Sequence, residues 1–234
     1  MGNNKIIGMI GGTGWASTME YYRLINEKVN ARAGGFQFAR CLIYSMNYGE
    51  IHDFNTKGDL ESIYFLVLAA ARRLQAAGVD CLVLCANTLH QYAERLFDDV
   101  PIPIVHIADA TANEIKKDGL LKVGLLGTGQ TMEMDFYKDR MAKHGIEVII
   151  PDTEERRYLD QTIRKEFVTN IFTREASNRI LQIINILQQR GAEGIILGCT
   201  EIPLVVKQDQ TKVKLYDTTD IHAEAIVDFF VGRL

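Results

Sequence analysis

The 234 residues, 47% hydrophobic and 24% charged, give enough chain for one large domain or two lobes of roughly 100 residues each. The formal net charge of −4 comes without a basic block, so electrostatics excludes nucleic acid and anionic membrane surfaces as expected partners. No apolar run reaches the ~18 residues of a membrane span, the N-terminus is too glycine-rich for a secretory signal, and four cysteines are too few for a disulfide scaffold; a cytoplasmic protein with reduced thiols is expected.

Short runs rich in Ile, Val and Leu alternate with longer segments of helical period, the pattern of parallel strands joined by helices. In chain order the strands are predicted over residues 5–10, 40–45, 81–85, 104–106, 122–126, 148–150, 194–197 and 214–216. The helices are predicted over 18–33, 60–77, 88–98, 109–118, 131–144, 154–168, 174–190 and 220–232. Five scattered histidines and a Cys81/Cys85 pair without a second closely spaced pair argue against a zinc site.

The chain repeats itself. Ile7-Gly8-Met9-Ile10-Gly11 is echoed by Val123-Gly124-Leu125-Leu126-Gly127, 116 residues later, and a helix carrying Tyr21-Tyr22 or Phe136-Tyr137 follows each copy. Gly78-Val79-Asp80-Cys81 through Thr88 is echoed by Gly191-Ala192-Glu193-Gly194 through Glu201, 113 residues later. One such match is what any strand-turn-helix unit produces; two matches in the same order at nearly one offset point to duplicated halves. Ligands of open α/β sheets sit beyond the carboxyl ends of the strands, so two such lobes would enclose a site built from both sets of strand ends.

Overlaying the copies places Cys85 opposite Gly198, Ala86 opposite Cys199, and Asn87 opposite Thr200. Because side chains alternate along a strand, Cys85 continues the face of Cys81 and Val83 into packing, and the residues at the site are Ala86 and Cys199. Cys199 sits at a strand end before a short helical turn, where backbone N–H groups and a helix dipole would favour thiolate; the alternative is a small buried hydrophobe. Asn87-Thr88 and Thr128-Gly129-Gln130-Thr131 can hold an anion at a helix start or serve as N-caps. The glycine segment lacks the dinucleotide fingerprint, since its third position is Ser17 and no acid follows the second strand; no P-loop lysine is present either.

With Gly11-Gly12-Thr13-Gly14-Trp15-Ala16-Ser17-Thr18, Ala86-Asn87-Thr88-Leu89-His90, His106-Ile107-Ala108-Asp109-Ala110-Thr111, Gly127-Thr128 and Gly198-Cys199-Thr200-Glu201-Ile202-Pro203, the sequence resembles the aspartate/glutamate racemase family over essentially its whole length. Trp15-Ala16-Ser17-Thr18 and Tyr21-Tyr22-Arg23-Leu24-Ile25-Asn26-Glu27 are most similar to the bacterial branch specific for L-aspartate/glutamate. The resemblance implies an α/β fold of two pseudo-symmetric three-layer lobes with mainly parallel sheets and an active site in the cleft between them. The expected lobes are residues 1–105 plus 208–234, and 106–207. It further implies a homodimer that transfers the α-proton of a small acidic amino acid without a cofactor.

Carried over, Cys199 is the acid/base, and Ala86 occupies the position of the second acid/base, which is cysteine in much of the family and threonine in the L-specific branch. Asn87, Thr88 and Thr200 would hold the α-carboxylate, Thr13 and Asn55 would line the pocket, and Thr128 would contribute. Lys165 or Arg164 would meet the distal carboxylate in place of an arginine that some members carry near Asn47-Tyr48. Glu201 would orient the substrate amine or cap the helix, and His222 would approach from the C-terminal segment. Alanine has no proton to give, so a one-cysteine lyase, decarboxylase or isomerase and a non-catalytic acidic amino-acid binder stand as alternatives, with a nucleotide-dependent α/β enzyme as a third.

Overall fold

The computed structural model describes residues 5–231. Its principal elements are β1 (Ile7–Gly11), α1 (Trp15–Ala33), β2 (Cys41–Ser45), α2 (Tyr48–Lys57), α3 (Leu60–Ala76), β3 (Cys81–Leu84), a 3₁₀ segment (Asn87–Tyr92), α4 (Ala93–Asp99), α5 (Ile107–Lys117), β4 (Lys122–Gly127), α6 (Gly129–Glu133), α7 (Asp135–Lys143), β5 (Glu147–Ile149), α8 (Thr153–Lys165), α9 (Arg174–Gln189), β6 (Gly194–Gly198), α10 (Ile202–Val205), β7 (Lys214–Asp217) and α11 (Thr218–Val231).

Two compact units result, one running up to His106 and resuming at His222, the other spanning Ile107–Ile221. The first holds a three-stranded parallel sheet in the order β2-β1-β3, and the second a four-stranded parallel sheet in the order β5-β4-β6-β7. The repeat is thus visible in topology. In each unit the glycine-bearing first strand lies between the next two strands of its own half, and β7 is an addition to the second. The boundary expected at residue 208 lies instead at His222, because β7 hydrogen-bonds to β6 from Gly194↔Lys214 to Leu197↔Asp217 and stays with the second sheet.

In the first unit both sheet faces are covered, and the strand parity read from the sequence holds. Cys81, Val83 and Cys85 join Ile7, Met9, α1 and α11 in one buried cluster, whereas Leu82 and Leu84 join Ile10, α3 and α4 in another. In the second unit β4 and β6 share one continuous core with α5, α7, α8 and α9.

Several elements differ from expectation. Residues 104–106 form only a single bridge from Ile104 to Leu82, too short for a strand. The helix predicted over 131–144 is two helices, broken where Met134 turns extended at φ −73° and ψ 148°. The segment predicted as a helix over 88–98 opens as a 3₁₀ turn, and α2 was not anticipated because its apolar residues are few. The predicted end of the last helix, Gly232, lies outside the described residues.

The turn from β1 into α1 depends on glycine. Gly12 has φ +87°, and a Cβ there would lie 2.1 Å from the carbonyl oxygen of Met46. Its N–H donates to the Thr18 hydroxyl at 2.9 Å. Gly12→Ala therefore combines a left-handed backbone with a backbone clash, and should lower unfolding free energy by about 3 kcal/mol or more in urea titrations.

Candidate active site

In the second unit the carboxyl ends of β4 and β6 lie side by side, Gly127 pairing with Gly198. Thr128 follows the first of these and Cys199-Thr200-Glu201 the second. Gly198 has no room for a side chain, since a Cβ would approach the Leu126 carbonyl oxygen to 2.8 Å. The equivalent residue in the first unit, Cys85, is completely buried in packing, and its thiol is pushed far up by desolvation. The conspicuous thiol of the first half is a core residue.

Cys199 is 9% exposed, and its thiol donates to Oε2 of Glu201 at 2.9 Å. The Thr200 hydroxyl donates to the same oxygen at 2.7 Å, and Glu201 is itself buried. The expectation of a helix-stabilised thiolate is overturned. Burial raises the Cys199 pKa well above the usual thiol value, and the charge of Glu201 and the bond to its carboxylate raise it further. The N–H of Glu201, aimed at the sulfur, and the charge of Arg164 pull the other way and lose. The physical reason is that α10 is only four residues long, so its dipole is small beside a full carboxylate charge in a dry surround.

Thr128 caps α6, its hydroxyl accepting from the N–H of Thr131. The adjacent Gly129 N–H donates to Asp160 on α8 at 2.8 Å, and Asp160 also pairs with Arg164 at 2.9 Å. Arg164 is half-buried and acts on Cys199, whereas Lys165, the next residue, is exposed at the end of α8.

In the first unit, Ala86 is extended at φ −158° and ψ 142°, immediately before the 3₁₀ segment that begins at Asn87. It is half-buried with its methyl against the α3 and α4 cluster, on the face opposite Cys85. Asn87 is buried and Thr88 half-buried. The neighbouring strand end leads through Thr13 into α1, whose N-cap Gly14 supplies no side-chain bond. The Thr13 hydroxyl is buried without a hydrogen-bond partner. Such a group carries a desolvation cost of about 1–3 kcal/mol unless a ligand or water meets it. Asn55 is half-buried on α2.

A buried polar cluster behind the 86–88 segment has little signal in the sequence. The His90 ring lies 4.7 Å from that of His106 and 5.1 Å from that of His222, centroid to centroid. All three are at most 7% exposed. His222 Nε2 donates to the Val105 carbonyl at 2.7 Å, so its Nδ1 accepts from the Tyr21 hydroxyl at 2.8 Å and the tautomer is fixed. Nε2 of His90 and of His106 donate to the carbonyls of Leu84 and His90, each at 3.3 Å. The rings brace backbone, and among the described residues no group of histidines, cysteines and acids could hold a metal ion.

Burial lowers the His222 pKa from 6.5 to about 4. A depressed folded-state value means that stability is fully present above the unfolded pKa near 6.5 and is lost as pH falls through about 4. His222 should therefore contribute about 3 kcal/mol less at pH 4 than at pH 8. Urea unfolding across that range should show a flatter pH dependence for His222→Gln than for the wild type; equal slopes would contradict it.

The family model for Asp/Glu/Hydantoin racemase matches residues 10–226. The broad specificity amino-acid racemase RacX of Bacillus subtilis (strain 168) is 24% identical, the match covering 97% of this chain and 99% of that protein. Among solved structures, a candidate Asp/Glu racemase from Yersinia pestis is 42% identical with a TM-score of 0.90, covering 97% of this chain and 99% of that one. An aspartate racemase homologue from Pyrococcus horikoshii OT3 is 34% identical with a TM-score of 0.84 over the same shares. No helix among the described residues is long and apolar enough to cross a membrane. Two parallel-sheet units with one buried thiol-carboxylate pair at a strand end, and a match spanning nearly the whole sequence, place the chain in the Asp/Glu/hydantoin racemase family, among the amino-acid racemases of the isomerase class.

Proposed function

We propose that the chain is a cofactor-independent racemase-type enzyme acting on aspartate, glutamate or a close acidic relative, with Cys199 removing and returning the α-proton. The observation that carries this reading is the Cys199 thiol, buried at the carboxyl end of β6 with a carboxylate already on it. Two features support an anionic ligand: the unpartnered Thr13 hydroxyl and the uncapped N-terminus of α1 beside it, which offers backbone N–H groups. In this reading Asn87, Thr88 and Thr200 hold the α-carboxylate, Thr13, Asn55 and Thr128 line the pocket, and Lys165 meets the distal carboxylate.

Inversion without a cofactor needs a proton removed on one face of Cα and delivered on the other. Ala86 stands at the second position and has none to deliver, so water supplies that proton and inversion is slow relative to exchange on the Cys199 side. The same alanine favours a second reading, a one-cysteine lyase, decarboxylase or isomerase, and complete loss of turnover would leave an acidic amino-acid binder.

A second copy of the chain is the proposed partner, supported by the edge strand β2 with Leu42 and Ile43 exposed and by the exposed Trp15, Met19 and Tyr22 of α1. A cytoplasmic location is supported by four unpaired thiols. The test of function is deuterium uptake at Cα of L- and D-aspartate and L- and D-glutamate in heavy water. Uptake faster than inversion is expected; tight binding of any of them with no uptake would leave the binder.

A further inference from the structure

We propose that His90 and His222 are positioning residues, two touching imidazoles that tie the segment bearing Ala86, Asn87 and Thr88 to the points where the chain leaves and re-enters the first unit. That Asn87 and Thr88 hold a substrate carboxylate rests on the racemase reading; the tie between the segments does not.

The pairing of β3 with the chain that follows α4 is a single bridge, Leu82 to Ile104, with the Leu82 N–H donating to the Pro103 carbonyl at 2.9 Å. Just beyond it the two segments part, β3 running into Ala86 and the 3₁₀ segment, the other into His106 and α5. Side chains meet the main-chain carbonyls at that parting. Leu84 accepts from Nε2 of His90 at 3.3 Å, and Val105 accepts from Nε2 of His222 at 2.7 Å. The imidazoles stand where the ladder bonds of a longer strand would run, so these carbonyls stay satisfied while the chain turns away.

The two rings meet edge to face, 5.1 Å between centroids. His90 belongs to the same 3₁₀ segment as Asn87 and Thr88. His222 is the first residue of the returning chain, and Val105 precedes His106, the last residue before the chain departs. His222 therefore joins the departing chain to the returning one, and its ring passes that position to His90. Nε2 of His106 donates to the His90 carbonyl at 3.3 Å, and the Tyr21 hydroxyl holds Nδ1 of His222 from α1 at 2.8 Å. Apolar side chains would fill the same volume without directing a carbonyl; hydrogen bonds are directional, so here they set where the strand end points.

His90→Leu and His222→Leu each remove one donor at similar bulk. Amide hydrogen exchange followed by mass spectrometry should show peptides from residues 84–92 opening at least about tenfold faster in both variants, with peptides from β4 and β6 unchanged. KM for α-proton exchange of aspartate and glutamate should rise at least about tenfold while kcat stays within about threefold, because the proposed proton-moving thiol lies at the end of β6. His90→Gln and His222→Gln keep an N–H donor and should recover most of both effects, which restored bulk alone would not do. Tyr21→Phe keeps its ring, removes only the hydroxyl on Nδ1, and should loosen residues 84–92 in the same direction by a smaller factor.

Exchange at 84–92 within about twofold of wild type in His222→Leu, or no loosening there in Tyr21→Phe should the leucine variants not fold, overturns the proposal. Faster exchange spread evenly over both units also overturns it, since that is lost stability alone. Loosened 84–92 with KM within about twofold of wild type removes the positioning role. A wild-type chain that exchanges no α-proton with any acidic amino acid sinks the racemase reading, and the tie between the segments then stands or falls on amide exchange.

Discussion

Ala86→Cys should raise the rate at which aspartate or glutamate is inverted by about 10²–10⁴-fold, the range that a positioned general acid or base supplies. Exchange of the α-proton on the Cys199 side should change little. The argument starts from the strand. Ala86 follows the end of β3 in an extended conformation that any L-residue adopts, so a larger side chain brings no backbone strain. Its equivalent in the repeat is Cys199, and the residues behind it, Asn87 and Thr88, correspond to Thr200 and Glu201.

A thiol introduced at 86 would add the missing proton donor at the one point of the first unit where the repeat calls for it. Ala86→Thr should give a smaller gain, because a hydroxyl is a much weaker acid than a thiol. The measurement is circular dichroism or chiral chromatography of product alongside deuterium content at Cα. Inversion that stays at the wild-type rate in Ala86→Cys while exchange persists would show that position 86 is not the second proton-transfer site.

How much of this could be read from the sequence depends on whether the governing force is periodic. Strand parity is, and it separates Cys85 from Ala86: Cys85 lies with Cys81 and Val83 in one core cluster and Ala86 against the other. The internal repeat is also a regular signal, and it paired Cys199 with Ala86 and anticipated duplicated halves, each of which holds a parallel sheet.

What escaped was set by contacts between distant residues or by a rotamer. His90, His106 and His222 are spread over 132 positions of sequence and meet only because each imidazole finds a backbone carbonyl within its unit. The upward direction of the Cys199 pKa came first from burial of the thiol and then from Glu201 folding back onto the sulfur, neither of which a spacing rule decides. The boundary at His222 depended on β7 finding an edge at β6, a pairing choice that the run 214–216 did not reveal.

Cys199→Ala should abolish α-proton exchange, with a loss of at least about 10³-fold, since a proton-transfer group is removed outright and the carboxylate of Glu201 reaches only as far as the sulfur did. Folding should survive. The side chain is small, and its removal from the second-unit core leaves a cavity about one sulfur atom in size, a cost of roughly 1 kcal/mol. Cys199→Ser is the sharper variant, because its hydroxyl can still donate to Glu201 and keep the carboxylate satisfied. With the local hydrogen bonds preserved, any loss of exchange in Cys199→Ser reflects the weaker acidity of oxygen and not a disturbed loop. Both variants should still be stabilised thermally by acidic amino acids, because the groups proposed to hold the carboxylates are untouched. A variant that binds and does not exchange would separate the holding of substrate from its chemistry; exchange that continues in Cys199→Ala at the wild-type rate would remove the thiol from the mechanism altogether.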